Sequence, residues 1–315
     1  MSASTAVLAM AYGTPSRPEA LEAYYTHIRR GRRPPPELLA ELRERYEAIG
    51  GRSPLLEITR AQASGLSDAL HAAGHGDVRV AIGMKHSPPF LEDAARQLVT
   101  SGVEHVVGLV LAPHYSRMSV QAYGDRVQAA LALAAEGGGE PRFELVDSWA
   151  TEPGYVSCLA TAVGDALARL GPAAAGAEVI FTAHSLPERI LAAGDPYPDE
   201  LRATAEAVAR VAGLERWSIA WQSAGRTNEP WIGPDVLQVL PRLAEAGATG
   251  VVVCPAGFVA DHLEVLYDLD VEAAAEARAL ELPFARTAAP NADPAFTATL
   301  ARIVAARLPS RISLR

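Results

Sequence analysis

The sequence predicts an α/β protein made of two similar Rossmann-like halves, each a parallel sheet flanked by helices. Short apolar runs alternate along the chain with Ala-rich stretches of helical length. Several of these runs are hydrophobic without alternation, which is typical of parallel strands that are covered on both faces. The length of 315 residues suits two domains of about 150 residues each.

The predicted strands are apolar runs of about the length of a buried strand, at 6–11, 78–84, 105–112, 143–146, 178–183, 217–221 and 250–254. Helical length and spacing predict helices over 37–49, 91–101, 120–135, 157–170, 199–211 and 236–246. Strand–helix alternation indicates right-handed βαβ units. The Gly-rich stretch 134–142 is typical of a flexible joint, and we place the N-terminal domain at 1–140 and the C-terminal domain at 141–289.

Two pairs of segments repeat between the predicted halves. AVLAMAYGTP (6–15) aligns with EVIFTAHSLP (178–187), so that Tyr12 and His184 both follow a strand. Ligands of open α/β sheets bind at the carboxyl ends of the strands. The second pair, 97–116 and 242–261, is equally compatible with the general similarity of βαβ units. We therefore predict a cleft between the halves in which Tyr12 faces His184.

Charge and composition exclude several classes of protein. With 28 basic and 37 acidic residues the net charge is −9, whereas a nucleic-acid binder needs a basic face. No apolar run approaches the roughly 20 residues of a membrane span, and the N-terminus lacks the basic region of a signal peptide. Two cysteines, Cys158 and Cys254, cannot form a disulfide framework. We expect a soluble, cytoplasmic protein that neither binds nucleic acid nor spans a membrane.

His184 is the first candidate for chemistry, because it ends a predicted buried strand. A neutral imidazole binds metal ions and accepts protons near pH 7. A hydrogen-bonded structural histidine would fit the same position. A serine hydrolase does not fit, since the adjacent His184 and Ser185 point in different directions and the chain has no G-x-S-x-G motif.

The acidic stretch DHLEVLYDLDVEAAAE (261–276) contains the second set of candidates. Glu264, Asp268 and Glu272 are spaced four residues apart and would share one helix face, where like charges destabilise a helix. A solvated acidic face would explain the pattern. Alternatively, a row of oxygen ligands can hand along a divalent cation, and with His184 it would lead to a mixed site suited to Fe²⁺. No motif of a structural zinc site accompanies the row.

Basic residues are concentrated in one stretch of this acidic chain, 29–52. Arginines pair bidentately with carboxylates, and Tyr24, Tyr25 and Tyr46 add flat apolar surface nearby. The combination suits a planar ligand with several carboxylates, although a surface helix with interleaved Glu–Arg pairs would also explain it. The basic residues are Arg29, Arg30, Arg32, Arg33, Arg43, Arg45 and Arg52.

Long motifs along nearly the whole chain resemble those of the ferrochelatase family. They are MAYGTP (10–15), YYTHIRRGR (24–32), RYEAIGGRSPL (45–55), APHYS with SVQAY (112–123), AHSLPERI (183–190), WQSAGRT with PWIGPDV (221–236) and GFVADHLEVLYDLDVE (257–272). The resemblance implies two chelatase-type halves around a porphyrin cleft and Fe²⁺ as the metal substrate. It also implies a C-terminal helix within 290–315 that returns to the first half.

The site residues of the family map onto this sequence position by position. The resemblance implies that His184 and Glu264 are catalytic and bind Fe²⁺, with His184 acting as metal ligand, proton acceptor or both. It implies that Asp268 and Glu272 lie on a π-helical turn and lead to an outer site for a hydrated metal ion such as Mg²⁺, beside Arg45. The implied porphyrin-binding residues are Tyr12, Arg29, Arg45, Tyr46, Ser53 and Tyr123.

Two departures from some relatives indicate the type of ferrochelatase. No cysteine follows Cys254, which predicts that the four-ligand [2Fe–2S] cluster of those relatives is absent. The membrane-associating lip of animal enzymes has no counterpart either. Both departures favour the type found in monoderm bacteria, which acts on coproporphyrin III. The four propionates of that substrate suit the arginines better than the two propionates of protoporphyrin IX.

Three alternative functions stay open at this point. They are insertion of iron into protoporphyrin IX, insertion of cobalt or nickel into sirohydrochlorin, and non-catalytic carriage of a tetrapyrrole. The sirohydrochlorin chelatases lack the long motifs, and a carrier would not explain the acidic row. We expect a monomer that makes transient contacts with neighbouring enzymes of haem biosynthesis.

Overall fold

Within residues 4–136 and 138–309, which the computed structural model describes, the strands form two four-stranded parallel sheets. The first sheet has the strand order β2-β1-β3-β4, with β1 (Thr5–Ala11), β2 (Arg79–Met84), β3 (His105–Val110) and β4 (Arg142–Val146). The second has the order β6-β5-β7-β8, with β5 (Glu178–His184), β6 (Trp217–Gln222), β7 (Val251–Cys254) and β8 (Phe284–Arg286). The two halves thus share one topology, and the predicted fold class is confirmed.

Helices flank both sheets. The first half contains α1 (Leu21–Ile28), α2 (Pro36–Ala48), α3 (Leu55–Ala72), α4 (Leu91–Thr100) and α5 (Val120–Ala134). The second half contains α6 (Pro153–Leu170), α7 (Arg189–Ala192), α8 (Tyr197–Ala212), α9 (Val236–Glu245), α10 (Leu263–Val265), a π-helical segment (Leu266–Ala273) and α11 (Ala274–Ala279), and the chain then continues into α12 (Pro294–Ala305). No helix in the described ranges is both long and apolar enough to span a bilayer.

The central strands are buried on both faces, which explains their uninterrupted apolar sequences. Every residue of β1, β3 and β7 is buried.

The starts of two helices are specified by the residue that precedes each of them. Asp235 and Asp293 cap the starts of α9 and α12 by accepting backbone N–H groups. Strand β8 was not predicted, because its three residues are too few to form a recognisable pattern.

Strand β4 belongs to the first sheet, because it pairs in parallel with β3 and places Arg142 beside His105. The domain boundary predicted between residues 140 and 141 precedes this strand, so the first sheet extends further, to Val146. Helix α12 lies within the predicted segment 290–315 and packs against α3 of the first half and against α6. Residues 310–315 of that segment lie outside the described residues.

One uninterrupted helix, from Leu263 to Ala279, carries the acidic row. Its middle part is the π-helical segment that the family resemblance implied. A π-helix has more residues per turn than an α-helix, so side chains spaced four apart stay close to one line. Glu264, Asp268 and Glu272 accordingly all line the same cleft.

Candidate active site

The candidate residues lie at the carboxyl ends of the central strands of the two sheets. Tyr12 directly follows β1, and His184 is the last residue of β5. Both side chains line a cavity of about 320 Å³ together with Glu264. The same three residues also line a wider cleft of about 690 Å³ between the two halves. The pairing of Tyr12 with His184, expected from the sequence repeat, is therefore present in the fold.

A tight loop after β7 leads the chain to Glu264. The backbone N–H of Gly257 donates to the Thr182 carbonyl over 2.9 Å, and a Cβ at Gly257 would lie 2.5 Å from the Cβ of Ala183. Only glycine allows so close an approach of backbone to strand. The contact holds the start of α10 beside the end of β5.

His184 is oriented by its backbone surroundings. Its Nδ1 contacts the Ser185 carbonyl, so Nδ1 carries a hydrogen and Nε2 is directed elsewhere. Nε2 lies 3.6 Å from Oε1 of Glu264. The Tyr197 hydroxyl donates to the His184 carbonyl over 2.9 Å. The ring therefore presents one nitrogen, Nε2, to the carboxylate and the cavity.

The His184–Glu264 pair shifts the pKa values of both groups. Burial disfavours the imidazolium, but the Glu264 charge and hydrogen bond outweigh it and raise the pKa of His184 to about 9. Burial acts on Glu264 in the opposite sense, yet the two neighbouring histidines hold its pKa well below the usual range. At neutral pH the shared proton therefore resides on His184, and Glu264 is ionised.

His262 is a further member of this group that the sequence analysis did not single out. Its Nδ1 donates to the Ala260 carbonyl over 2.9 Å, and its Nε2 lies 3.5 Å from Oε2 of Glu264. The Glu264 carboxylate thus stands between two imidazoles. The only signal in the sequence is the position of His262, two residues before Glu264 in the motif ADHLE.

Asp268, the second residue of the acidic row, is 5% exposed, which rules out the alternative of a solvated acidic face at this position. The Ser223 hydroxyl donates to its Oδ2, whereas Oδ1 is buried without a hydrogen-bond donor. Burial raises the pKa of Asp268 to about 6, and the Ser223 hydrogen bond and Arg45 oppose this rise. A buried carboxylate oxygen without a donor is a suitable ligand for a cation.

Arg45 reaches the outer part of the row from α2. Its guanidinium lies 3.7 Å from Asp268 and 3.9 Å from Glu272, over the ring of Tyr267 at 4.7 Å. Burial raises the pKa of Glu272. Within the described ranges, no three His, Cys, Asp or Glu side chains are arranged as a ready-made metal site. The structure thus brings Arg45 to the two outer carboxylates, as the resemblance implied.

The expected porphyrin-binding residues occupy two depths of the cleft. Tyr12, Arg29, Arg45, Tyr46 and Ser53 line the wider cleft. Tyr123 lies deeper and lines the inner cavity beside Tyr12. Tyr12 is 41% exposed and its ring packs on His86 at 4.6 Å, so a broad aromatic face is available in the cleft.

The cationic groups of the cleft are not fully paired within the protein. Nε of Arg29 is buried without a hydrogen-bond partner, and the guanidinium lies 5.8 Å from the Tyr25 ring. Lys85, which the sequence analysis did not single out, lies over the Tyr123 ring at 4.6 Å. Burial and nearby arginines lower the pKa of Lys85 to about 8. These groups make the cleft suitable for an anionic aromatic ligand.

The fold and cleft define a class of protein, the α/β proteins with the chelatase fold. SirB from Bacillus subtilis, solved with Fe³⁺, has this fold with a TM-score of 0.58 and 13% identity, over 96% of this chain and 94% of that chain. DR2241 from Deinococcus radiodurans, a multi-domain protein with structural similarity to chelatases, has a TM-score of 0.56 and 13% identity, over 98% of this chain and 56% of that chain.

Sequence comparisons identify the family within this class. The family model described as Ferrochelatase matches residues 4–308. The coproporphyrin III ferrochelatase of Anoxybacillus flavithermus is 47% identical over 95% of this chain and 94% of its own. That of Halalkalibacterium halodurans is 44% identical over 97% of both chains. The chain therefore belongs to the ferrochelatase family, and it is an enzyme.

Proposed function

We propose that this ferrochelatase inserts Fe²⁺ into coproporphyrin III and releases two protons. The observation that carries the proposal is the His184–Glu264 pair, with Nε2 and Oε1 3.6 Å apart, in a cavity that Tyr12 also lines. This set combines a metal ligand, a proton acceptor and a flat aromatic face. The full-length similarity to coproporphyrin III ferrochelatases supports the choice of porphyrin.

The cleft contacts both the flat face of the macrocycle and the edge that carries the propionates. Tyr12 and Tyr123 would provide aromatic surface, and Arg29, Arg45 and the hydroxyls of Tyr46 and Ser53 would receive propionates, a role supported by their positions in the lining of the cleft. The unpartnered Nε of Arg29 supports this role, because a guanidinium nitrogen that is buried without an acceptor is stabilised by an incoming carboxylate. Binding energy at the periphery distorts the ring and exposes a pyrrole nitrogen lone pair.

His184 and Glu264 exchange a proton for the metal. In the resting pair the proton is on Nε2 of His184, since its pKa is raised to about 9. Arriving Fe²⁺ competes for the same lone pair, and the displaced proton passes to solvent. Fe²⁺ then passes to the porphyrin nitrogens, two of which lose their protons. The vacated imidazole and the ionised Glu264 accept these protons and return them to solvent.

The function is tested by anaerobic assays in which Fe²⁺ is offered with coproporphyrin III, protoporphyrin IX or sirohydrochlorin. Absorbance spectra report insertion of the metal. We expect the highest kcat/KM with coproporphyrin III. Faster turnover of protoporphyrin IX would contradict the proposed substrate, and turnover of sirohydrochlorin with cobalt or nickel alone would favour the rival chelatase. Binding of porphyrin without any turnover would indicate a carrier.

We propose further that Asp268, Glu272 and Arg45 form an outer site for a hydrated divalent ion, either Mg²⁺ or Fe²⁺ on its way to Glu264. Oδ1 of Asp268, which is buried without a hydrogen-bond donor and has only the Arg45 guanidinium at 3.7 Å, supports this role. Only the ionised carboxylate binds a cation, so the affinity should fall as the pH falls through about 6, the pKa of Asp268.

Replacing Asp268 by asparagine is expected to weaken Mg²⁺ binding at least tenfold and to remove the change in affinity near pH 6, because an amide carries no charge. Isothermal titration calorimetry with Mg²⁺ between pH 5 and 8 measures both effects. Glu245→Gln serves as the control, since it neutralises an exposed carboxylate at the end of α9. Unchanged Mg²⁺ affinity in the Asp268→Asn variant would show that the row is not a metal site.

The remaining expectations are also proposals. We propose that the enzyme has no [2Fe–2S] cluster, because its two cysteines are Cys254 inside a buried strand and Cys158 on α6 and a cluster needs four ligands. We propose a cytoplasmic monomer. Its large exposed hydrophobic residues in the described ranges are distributed over different elements, which supports the monomer. Contacts with neighbouring haem-pathway enzymes would then be transient.

A further inference from the structure

We propose that Gln222, oriented by Thr182, is a positioning residue that sets the placement of Glu264 relative to His184. The inference rests on the proposed function of that pair. The side-chain hydrogen bonds of Gln222 go to the Thr182 hydroxyl and the Glu264 carbonyl, and not to the ring or the carboxylate of the pair. Gln222 joins the backbone segments from which the two side chains project.

The backbone of Gln222 is attached to the segment that carries His184. Gln222 is the last residue of β6 and is the register partner of His184 in the parallel pair β5–β6. Its carbonyl accepts the Ser185 N–H over 2.7 Å. Because this bond immediately follows His184, it fixes the direction in which the chain leaves β5. Gln222 is 1% exposed, so no water competes for these bonds.

The side chain of Gln222 is attached to the segment that carries Glu264. Its Nε2 donates to the Glu264 carbonyl over 3.2 Å. Its Oε1 accepts the Thr182 hydroxyl over 2.8 Å, and Thr182 is fully buried. A hydroxyl donor beside Oε1 selects one orientation of the amide, the one in which the NH₂ group faces Glu264.

A chain of buried hydrogen bonds thus runs from Thr182 through the Gln222 amide to the Glu264 backbone. It ties α10 to the strand that ends in His184, in addition to the Gly257–Thr182 contact. Buried polar groups that lose one partner are destabilised. Without the Thr182 hydroxyl the amide loses its preferred orientation, and the backbone of Glu264 loses a donor. The distance between Nε2 of His184 and the carboxylate of Glu264 is then no longer fixed.

The test compares Thr182→Val, which removes the hydroxyl, with Thr182→Ser, which keeps it. Gln222→Met serves as a second variant, because it retains side-chain length and apolar packing but has no amide. Ser218→Ala is the matched control, since the Ser218 hydroxyl on the same strand β6 is buried without a partner. For each variant we measure kcat for iron insertion, the porphyrin Kd from fluorescence quenching, and Tm.

We expect kcat to fall about tenfold in Thr182→Val and at least as much in Gln222→Met, the effect of one buried hydrogen bond. The porphyrin Kd should be nearly unchanged, Thr182→Ser should keep most of the activity, and Ser218→Ala should match the wild type. The proposal would be overturned if Thr182→Val and Thr182→Ser had equal kcat. It would also be overturned if the losses of kcat were matched by weaker porphyrin binding. Full activity of His184→Ala and Glu264→Gln would instead refute the proposed function itself.

Discussion

Replacement of His184 by alanine is expected to lower kcat for iron insertion by about 100- to 10,000-fold, the range measured for loss of a positioned acid–base group. The same change removes a proposed metal ligand, so the loss of kcat should lie near the upper end of this range. Porphyrin affinity should change little, because Arg29, Arg45, Tyr46 and Ser53 remain in the cleft. Single-turnover assays with preloaded coproporphyrin and saturating Fe²⁺ measure the effect.

The control for this experiment is His71→Ala, which removes an imidazole from an exposed position in the last turn of α3. It should retain wild-type kcat and Tm. The Tm of His184→Ala must also be compared, since the Nδ1 contact with Ser185 is lost with the ring. Near wild-type insertion by a folded His184→Ala variant at saturating Fe²⁺ would disprove its assigned role.

The two halves of the molecule explain why part of the site could be found from sequence. Each half is a strand–helix repeat with a cleft-lining side chain at or just after the end of its first strand, Tyr12 in one half and His184 in the other. Strand ends of parallel sheets are recognisable from apolar runs, and ligands bind there. Because the two halves carry different residues at this equivalent position, one side of the cleft presents the aromatic ring of Tyr12 and the other the ionisable imidazole of His184.

Residues whose role depends on cross-strand register could not be found in the same way. Thr182 and Gln222 belong to strands that look like ordinary core, and only the pairing of β5 with β6 brings Gln222 beside His184 and within reach of Thr182. His262 was missed for a related reason, since its distance from Glu264 depends on the loop after β7. The burial of Asp268 was likewise undecided, because a row of acidic residues is compatible with solvent.

The domain boundary illustrates a different limit. The Gly-rich stretch before residue 142 is a genuine loop signal, but a loop can lie within a domain as easily as between domains. What assigns β4 to the first sheet is its hydrogen bonding to β3, which no local feature of residues 142–146 specifies. Lys85 is a similar case, because its place over the Tyr123 ring depends on a tertiary contact between distant segments, in which Arg126 of α5 donates to the Lys85 carbonyl.

The carboxylate of Glu264 is expected to matter nearly as much as the imidazole. Glu264→Gln should lower kcat by about 100-fold, at the lower end of the range for an acid–base group, because the amide neither attracts Fe²⁺ nor accepts a proton. The variant keeps the side-chain shape and the backbone bond to Gln222. Glu245→Gln, on the exposed end of α9, is again the control.

The same variant should change the titration of His184. Glu264 is what raises that pKa to about 9, against the lowering effect of burial. Without the Glu264 charge, burial lowers the pKa of His184 against only the Ser185 hydrogen bond and the Asp268 charge, so the pKa should fall well below 9. Histidine NMR signals recorded between pH 5 and 10 in metal-free enzyme measure this shift. A His184 pKa that stays near 9 in Glu264→Gln would show that the carboxylate does not control the proton.

The shift also predicts how stability depends on pH. A group whose pKa is raised on folding stabilises the protein below its unfolded pKa, and this contribution is lost as the pH rises through the folded value. For His184 the loss occurs between pH 6.5 and about 9. Urea unfolding of the wild type should therefore show decreasing stability across this interval, and the Glu264→Gln variant should lack that decrease. If the stability of the wild type and of Glu264→Gln changed with pH in parallel, the His184–Glu264 pair would not hold a proton in the folded enzyme. That result would contradict the proposed exchange of this proton for Fe²⁺.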